Sequence, residues 1–372
     1  MTRVLILTAS YGSGHTIAAR SLAQAFAHAG AAVRVVDHFR ELVHPMFERA
    51  TRALYYWTLR RAPAAWGAAY ALADRMASDS PLAFGATRLG ATRLAGLLGE
   101  ERPDAVVSVH ATPAVVLTAL AAAGTRVPPH TTVVTDFVAH SQWIAPGVER
   151  YCVAADEVKH EFVARGLPPR RIVVTGMPLR PEFDAPVDAA AARRALGLDP
   201  RRPVVLAMAG ADGSLGRLPD VARVLGRGPR PRQGLIVAGR DAALAARLER
   251  EAAGTAVRVL GYVADIRTLM AAADVLVTKA GGMTLAEAMA AGLPLIAYGS
   301  LAGQERRNEH FVSRAGVALA ARSPRELAGA VERALTEPDL LERLRRRMRR
   351  LHHPGASRRV VAAVLEREEI AP

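Results

Sequence analysis

One run of the chain, Thr278-Lys-Ala-Gly-Gly-Met-Thr-Leu-Ala-Glu287, places two glycines, a hydroxyl and a carboxylate within a few residues. Gly281 and Gly282 let backbone approach a ligand with no side chain in the way. Thr284 is expected to cap a helix, Thr284–Ala291. The amides around Met283 and Thr284, with the helix dipole, then face whatever sits above the turn. Such a turn favours phosphate. Glu287, one turn into the helix, is placed to accept hydrogen bonds from sugar hydroxyls. Gln304, Glu305 and Asn308 fall in the polar loop after the next expected strand, Pro294–Tyr298. That is the carboxyl edge of the sheet, where open α/β folds bind ligands. Phosphate, hydroxyls and polar loop together describe a nucleotide-sugar pocket, whereas GG-x-T alone would equally serve an ordinary strand–turn–helix.

A second run, Ser10-Tyr-Gly-Ser-Gly-His15, joins an expected strand, Arg3–Thr8, to an expected helix, Thr16–Ala29. No third glycine follows at the spacing of the dinucleotide fingerprint. His15 falls at or just inside the helix start. There the positive dipole end lowers its pKa and favours the neutral imidazole that a general base needs; a histidine that merely caps the turn is the alternative. Asp136 ends the expected strand Thr132–Thr135 and either orients His15 or is itself the base. His140 and Trp143 follow in a loop, His140 either meeting a headgroup or phosphate or serving as a buried, hydrogen-bonded structural residue.

These segments resemble the lipid-directed nucleotide-sugar glycosyltransferases of family 28. The group includes the diacylglycerol glucosyltransferases, the monogalactosyldiacylglycerol synthases and the lipid II-forming N-acetylglucosaminyltransferase. The resemblance runs through ILTASYGSGH, VTDF, TGMPLRPEF, MAGADG, GYV, TKAGGMTLAEAM and GQERRN, nearly the whole chain, and is closest to the bacterial processive diacylglycerol glucosyltransferases. Ala280 and Ala302 stand where the usual TKPGG and PGQE patterns have proline, which loosens two turns and removes no ligand-contacting group. The resemblance implies an α/β protein of the GT-B fold, two Rossmann-like domains whose parallel sheets face each other across a cleft. Residues 1–176 would form the acceptor and membrane domain and 177–354 the donor domain, with a C-terminal helix at about 355–372 packing back on the first.

The resemblance further implies a UDP-sugar-dependent hexosyltransferase, UDP-glucose first among donors, that inverts at the sugar C1 with His15 as base. Gly14 and the second glycine turn, with Gly210, Gly213 and Ser214, would meet the donor, as would Gly281 to Thr284. The Val263 backbone, beside Tyr262, would pair with the uracil edge. Glu287 would hold the ribose, Gln304 and Glu305 would read the sugar, and Asn308 would complete the pocket. The UDP-sugar is a substrate, so no cofactor is expected. No metal is expected either, since helix dipoles serve the departing diphosphate and no D-x-D carboxylate pair is present.

The acceptor would be diacylglycerol or a glycosyl-diacylglycerol. A polyprenyl-linked or other acceptor, or a non-catalytic nucleotide-sugar sensor, are the rival readings. The net charge of +14 fits an anionic membrane surface, although an arginine-rich, alanine-rich composition also follows from genome base bias. Charge alone supports no nucleic-acid role, because no recognisable module accompanies it. A helical insertion, residues 45–99, carries Tyr55, Tyr56, Trp57, Trp66 and Tyr70, from a chain with 18 aromatics, interleaved with Arg49, Arg52, Arg60 and Arg61. Such a mixture suits an interfacial helix and suits equally a helix packed on the core. The arginines of Leu341–Arg350 read as a solvated helix face. With a single cysteine, no separate signal peptide and no apolar run of roughly 18 residues, the expected location is cytoplasmic, peripheral on the inner face of the membrane.

Overall fold

Short, continuously apolar runs alternating with alanine-rich amphipathic stretches are the signature of parallel strands covered on both faces by helices. The computed structural model of the protein, which describes residues 1–75, 89–210 and 217–366, has that construction twice. The chain divides into two compact units, Met1–Arg180 with His353–Pro372, and Pro181–His352.

In the first unit, β1 (Arg3–Thr8), β2 (Ala32–Asp37), β3 (Ala105–Ser108), β4 (His130–Val133), β5 (Arg150–Val153) and β6 (Ile172–Val174) form an all-parallel sheet in the order β2-β1-β3-β4-β5-β6. Its helices are α1 (Ser13–His28), α2 (Pro45–Arg61), α3 (Pro63–Arg75), α4 (Ala91–Glu101), α5 (Ala111–Ala122) and α6 (Asp156–Ala164). Leu5 and Leu7 of β1 and Val106 of β3 pack against Leu94 and Leu97 of α4 and Val116 and Leu117 of α5.

The second unit holds β7 (Val204–Met208), β8 (Gln233–Val237), β9 (Val257–Leu260), β10 (Val275–Thr278), β11 (Leu295–Tyr298) and β12 (Ala318–Ala321), again all parallel, in the order β12-β11-β10-β7-β8-β9. Counted from its own first strand this is the 3-2-1-4-5-6 order of dinucleotide-binding folds. The helices are α7 (Ala189–Ala195), α8 (Leu218–Gly226), α9 (Ala242–Ala252), α10 (Ile266–Ala272), α11 (Gly282–Ala291), α12 (Gln304–Arg314), α13 (Pro324–Thr336) and α14 (Pro338–Leu351). On α14, Leu340, Leu344 and Met348 are buried and Arg343, Arg346, Arg347, Arg349 and Arg350 are exposed, so the arginine run is a solvated face. The chain then returns to the first unit as α15 (Ala356–Leu365), which packs against α1. There Arg150 donates to the Ala363 carbonyl. Gly176 lies beneath this return with φ +82°, and a Cβ on it would meet the His353 Cβ at 2.7 Å.

Each sheet reverses strand order once, between β1 and β3 in the first unit and between β7 and β10 in the second. At such switch points the loops leave the carboxyl ends in opposite directions and open a crevice. The two runs singled out by their chemistry lie there: Ser10–His15 follows β1, and Lys279–Gly282 follows β10.

Candidate active site

In the first unit, α1 begins at Ser13, so Gly14 and His15 are the second and third residues of its first turn. The imidazole of His15 crosses the switch point to the end of β3. Its Nδ1 is 2.8 Å from the carbonyl oxygen of Val109 and 3.0 Å from Oγ1 of Thr135. A carbonyl only accepts, so Nδ1 carries the proton and Nε2 keeps its lone pair. Burial pushes the pKa of His15 below the ordinary histidine value, against the opposing charge of Asp136 and the hydrogen bond to Val109. Desolvation is the largest cause of this shift and favours the neutral ring. Asp136 is buried beside it and acts through its charge.

A second histidine completes this corner. The His110 ring stands edge-on to His15 at 4.8 Å, and its Nδ1 accepts from the backbone N–H of Thr112, capping α5. Burial, and then the neighbouring His15 and His38, hold its pKa well below the ordinary value. Rings continue outward from this corner. Tyr11 lies 6.5 Å from His110, Tyr55 6.2 Å from Tyr11, and Trp66 4.9 Å from Tyr55, with Tyr56 beside Tyr55. Trp143, buried, lies 6.3 Å from His15 between ring centroids. The Tyr11 hydroxyl is bonded to Thr51 of α2. Ring contacts and the Tyr11–Thr51 bond thus tie the insertion to the glycine turn.

The aromatics of the insertion differ in exposure. Tyr55, Tyr56, Trp66 and Tyr70 are half-buried. Trp57 is 58% exposed and Leu54 61%, on the α2 face that also carries Met46, with exposed Arg60 and Arg61 beside them. In α3 no residue is buried, and Leu72 is exposed. His140 is a structural tie: its Nδ1 accepts from the Gln142 N–H, its Nε2 reaches the Tyr70 carbonyl at 3.2 Å, and its ring lies on Tyr70. Among the described residues no helix is long and apolar enough to cross a membrane.

In the second unit, α11 begins two residues earlier than expected. Gly281 is the N-cap, so Thr284 lies inside the first turn and not at the cap. No side chain caps this end, and Leu285 is the first residue to close a helical hydrogen bond, to the Gly281 carbonyl. The amides of Gly282, Met283 and Thr284 therefore begin the helix in the manner that suits an anion. The turn is pinned from α12. Asn308, fully buried, donates to the Ala280 carbonyl at 3.2 Å, and the Ala280 N–H donates to Ser300 Oγ. Glu287 is buried in the first turns of α11 and Gln304 opens α12. Glu305 is held by Lys279 Nζ at 2.6 Å and by the Leu301 N–H at 3.0 Å. Gly210, after β7, has φ +83° and faces Lys279. Gly213 and Ser214 lie outside the described residues. Tyr262, exposed, is covered by the Arg240 guanidinium at 4.2 Å, and Val263 follows it after β9.

Comparison with known proteins matches these units to families. Residues 15–179 match the family described as monogalactosyldiacylglycerol (MGDG) synthase, and residues 214–351 match glycosyl transferases group 1. The chain is 30% identical over 370 residues to the processive diacylglycerol beta-glucosyltransferase of Bacillus subtilis (strain 168), covering 99% of this chain and 96% of that protein. It is 32% identical over 374 residues to the protein of the same description from Bacillus thuringiensis (strain Al Hakam), covering 100% and 95%. The chain belongs to this glycosyltransferase family. Its fold is GT-B: the crystal structure of Acinetobacter baumannii MurG aligns with a TM-score of 0.63 at 15% identity over 99% of this chain and all of that one. The calicheamicin glycosyltransferase CalG4 aligns with 0.63 at 16% identity over the whole of both.

Two contacts of His15 in the first unit escape motif reading. The Val109 carbonyl, which sets the tautomer of His15, and the Thr135 hydroxyl beside it follow other strands and leave no mark in the Gly-Ser-Gly-His run. In the second unit, Lys279 lies within the glycine run itself and is one of two lysines in a chain with 47 arginines.

Proposed function

We propose that the protein transfers a hexose, glucose first among candidates, from a UDP-sugar to diacylglycerol or a glycosyl-diacylglycerol at an anionic membrane surface, with inversion at the sugar C1. The observation that carries the reading is the tautomer of His15, whose Nδ1–H is donated to Val109 and whose Nε2 is left as a base. The acceptor hydroxyl gives its proton to that nitrogen as its oxygen bonds to C1, and the bond from C1 to the diphosphate oxygen breaks. The departing UDP gains negative charge. The first-turn amides of α11 and the Gly210 turn stabilise it as preorganised dipoles. Glu287 holds the ribose, Val263 and Tyr262 the uracil, and Gln304 the sugar.

The wall of rings from Trp66 through Tyr55 and Tyr11 to His110 supports an acceptor with an apolar body that approaches His15 edge-on to the bilayer. Met46, Leu54, Trp57 and Leu72 would enter the headgroup region, with Arg60 and Arg61 on anionic lipid, each worth about 1 kcal/mol. The test is His15→Ala. Turnover is expected to fall by about a hundred- to ten-thousandfold, the usual range for a removed general base, with UDP affinity nearly unchanged. Retained turnover with lost UDP affinity would overturn the assignment.

A further inference from the structure

The second unit contains a charged pair whose lysine the family resemblance leaves without a role. Lys279 is the first residue after β10, at the switch point of the sheet, and its ammonium lies 2.6 Å from Glu305 Oε1. Both side chains are largely covered, 17% and 15% exposed. The pair sits between two glycines. A Cβ on Gly210 would lie 3.7 Å from Lys279 Cε, and one on Gly281 4.0 Å from Glu305 Oε1. Glu305 is itself fixed, because its other oxygen accepts from the Leu301 N–H. A covered ion pair adds little net stability to a fold, since desolvation offsets its attraction. Its cation, however, is held in place and ready to pair with another anion.

The residue type carries information of its own. In a chain of 47 arginines and two lysines, arginine is the common cation, yet this position has lysine. An ammonium is a compact point charge with three rotatable donors, whereas a guanidinium is a broad planar fork. A point charge with rotatable donors can turn from one anion to another more readily than a planar fork.

We propose that Lys279 is the cation that meets the diphosphate of the donor, and that Glu305 is its counter-ion in the free protein, exchanged for phosphate when the donor binds. This rests on the reading of the second unit as the UDP-sugar site and assigns Glu305 a different task from reading the sugar. The exchange moves no proton. It places a positive charge where the leaving group becomes more negative, alongside the α11 amides.

The test is calorimetric titration of UDP, UMP and uridine into the full-length protein and its variants. Lys279→Met is expected to weaken UDP binding by about ten- to a hundredfold, the value of a charge-assisted hydrogen bond, with a smaller loss for UMP and none for uridine. Glu305→Gln should leave UDP affinity unchanged or raise it, because the competing anion is gone. Uridine binding in the same series reports an intact fold, and Lys279→Gln repeats the test with a milder change. Equal loss of UDP and uridine in Lys279→Met, or a loss of UDP affinity in Glu305→Gln, would make the pair a structural staple and overturn the proposal. If Glu287→Ala weakens uridine and UDP alike while Lys279→Met weakens neither, the pocket stands and the lysine assignment falls. If the unaltered protein binds neither UDP nor uridine, the pocket reading falls and the proposal with it.

Discussion

Asp136→Asn isolates the electrostatics of the base. The carboxylate is buried beside His15, and its charge raises a pKa that burial lowers. A base works only when unprotonated, so kcat/KM must fall as pH drops through the His15 pKa, which lies below the ordinary value of 6.5. Removing the carboxylate leaves burial opposed only by the hydrogen bond to Val109 and lowers that pKa further. An opposite charge near a buried site is worth about one to three pH units, each equal to about 1.4 kcal/mol. The acid limb should therefore move down by about one unit or more. The plateau should fall by about two- to tenfold, because a weaker base transfers the proton less readily. The assay is the pH profile of UDP release with saturating lipid. An acid limb that stays in place or moves upward would refute the reasoning. Loss of a thousandfold or more at every pH would make Asp136 itself the base.

Other consequences are more local. His130 is fully buried with a pKa of about 3, its Nε2 bonded to Ser108. Its folded pKa lies below its unfolded one, so its contribution is complete above about pH 6.5 and is lost as pH falls, at up to about 1.4 kcal/mol per pH unit. Urea titrations between pH 6 and 4 should show a shallower decline in His130→Asn, and an identical decline would contradict this. Trp57→Ser with Leu54→Ser should weaken binding to anionic vesicles by about tenfold or more with an unchanged Tm, since both side chains are exposed; unaltered vesicle binding would remove α2 from the membrane surface. Gly176→Ala should cost about 2 kcal/mol or more, because φ is +82° and the new methyl meets His353. A Tm within a degree of the unaltered protein would show that the return of α15 yields.

Strands were legible because parallel sheets bury both faces. Runs such as Val-Leu-Ile-Leu and Val-Leu-Val need no alternation and stand out from their surroundings. The limits of that reading lie where polar side chains are buried. β4 begins at His130, two residues before the expected Thr132, because the His130–Ser108 bond makes a polar residue acceptable inside the sheet. The start of α11 was misplaced for a related reason: Gly281 takes the cap with no side-chain partner, so the hydroxyl of Thr284 was a misleading signal. The insertion presents half-buried Tyr55 and Trp66 and exposed Trp57, a difference that composition alone does not show because one helix has two faces. His140 went to the structural reading through Tyr70 and Gln142. What the sequence could not carry were contacts made by backbone carbonyls, and the partner of His15 is one of these.

The central claim is transfer of a sugar from UDP to a diacylglycerol lipid, and its most direct test is UDP release from a panel of UDP-sugars, with and without diacylglycerol in anionic vesicles. The account predicts release that requires one particular sugar and the lipid together. Release that ignores the lipid, or none from any sugar by a protein that binds UDP, would contradict it.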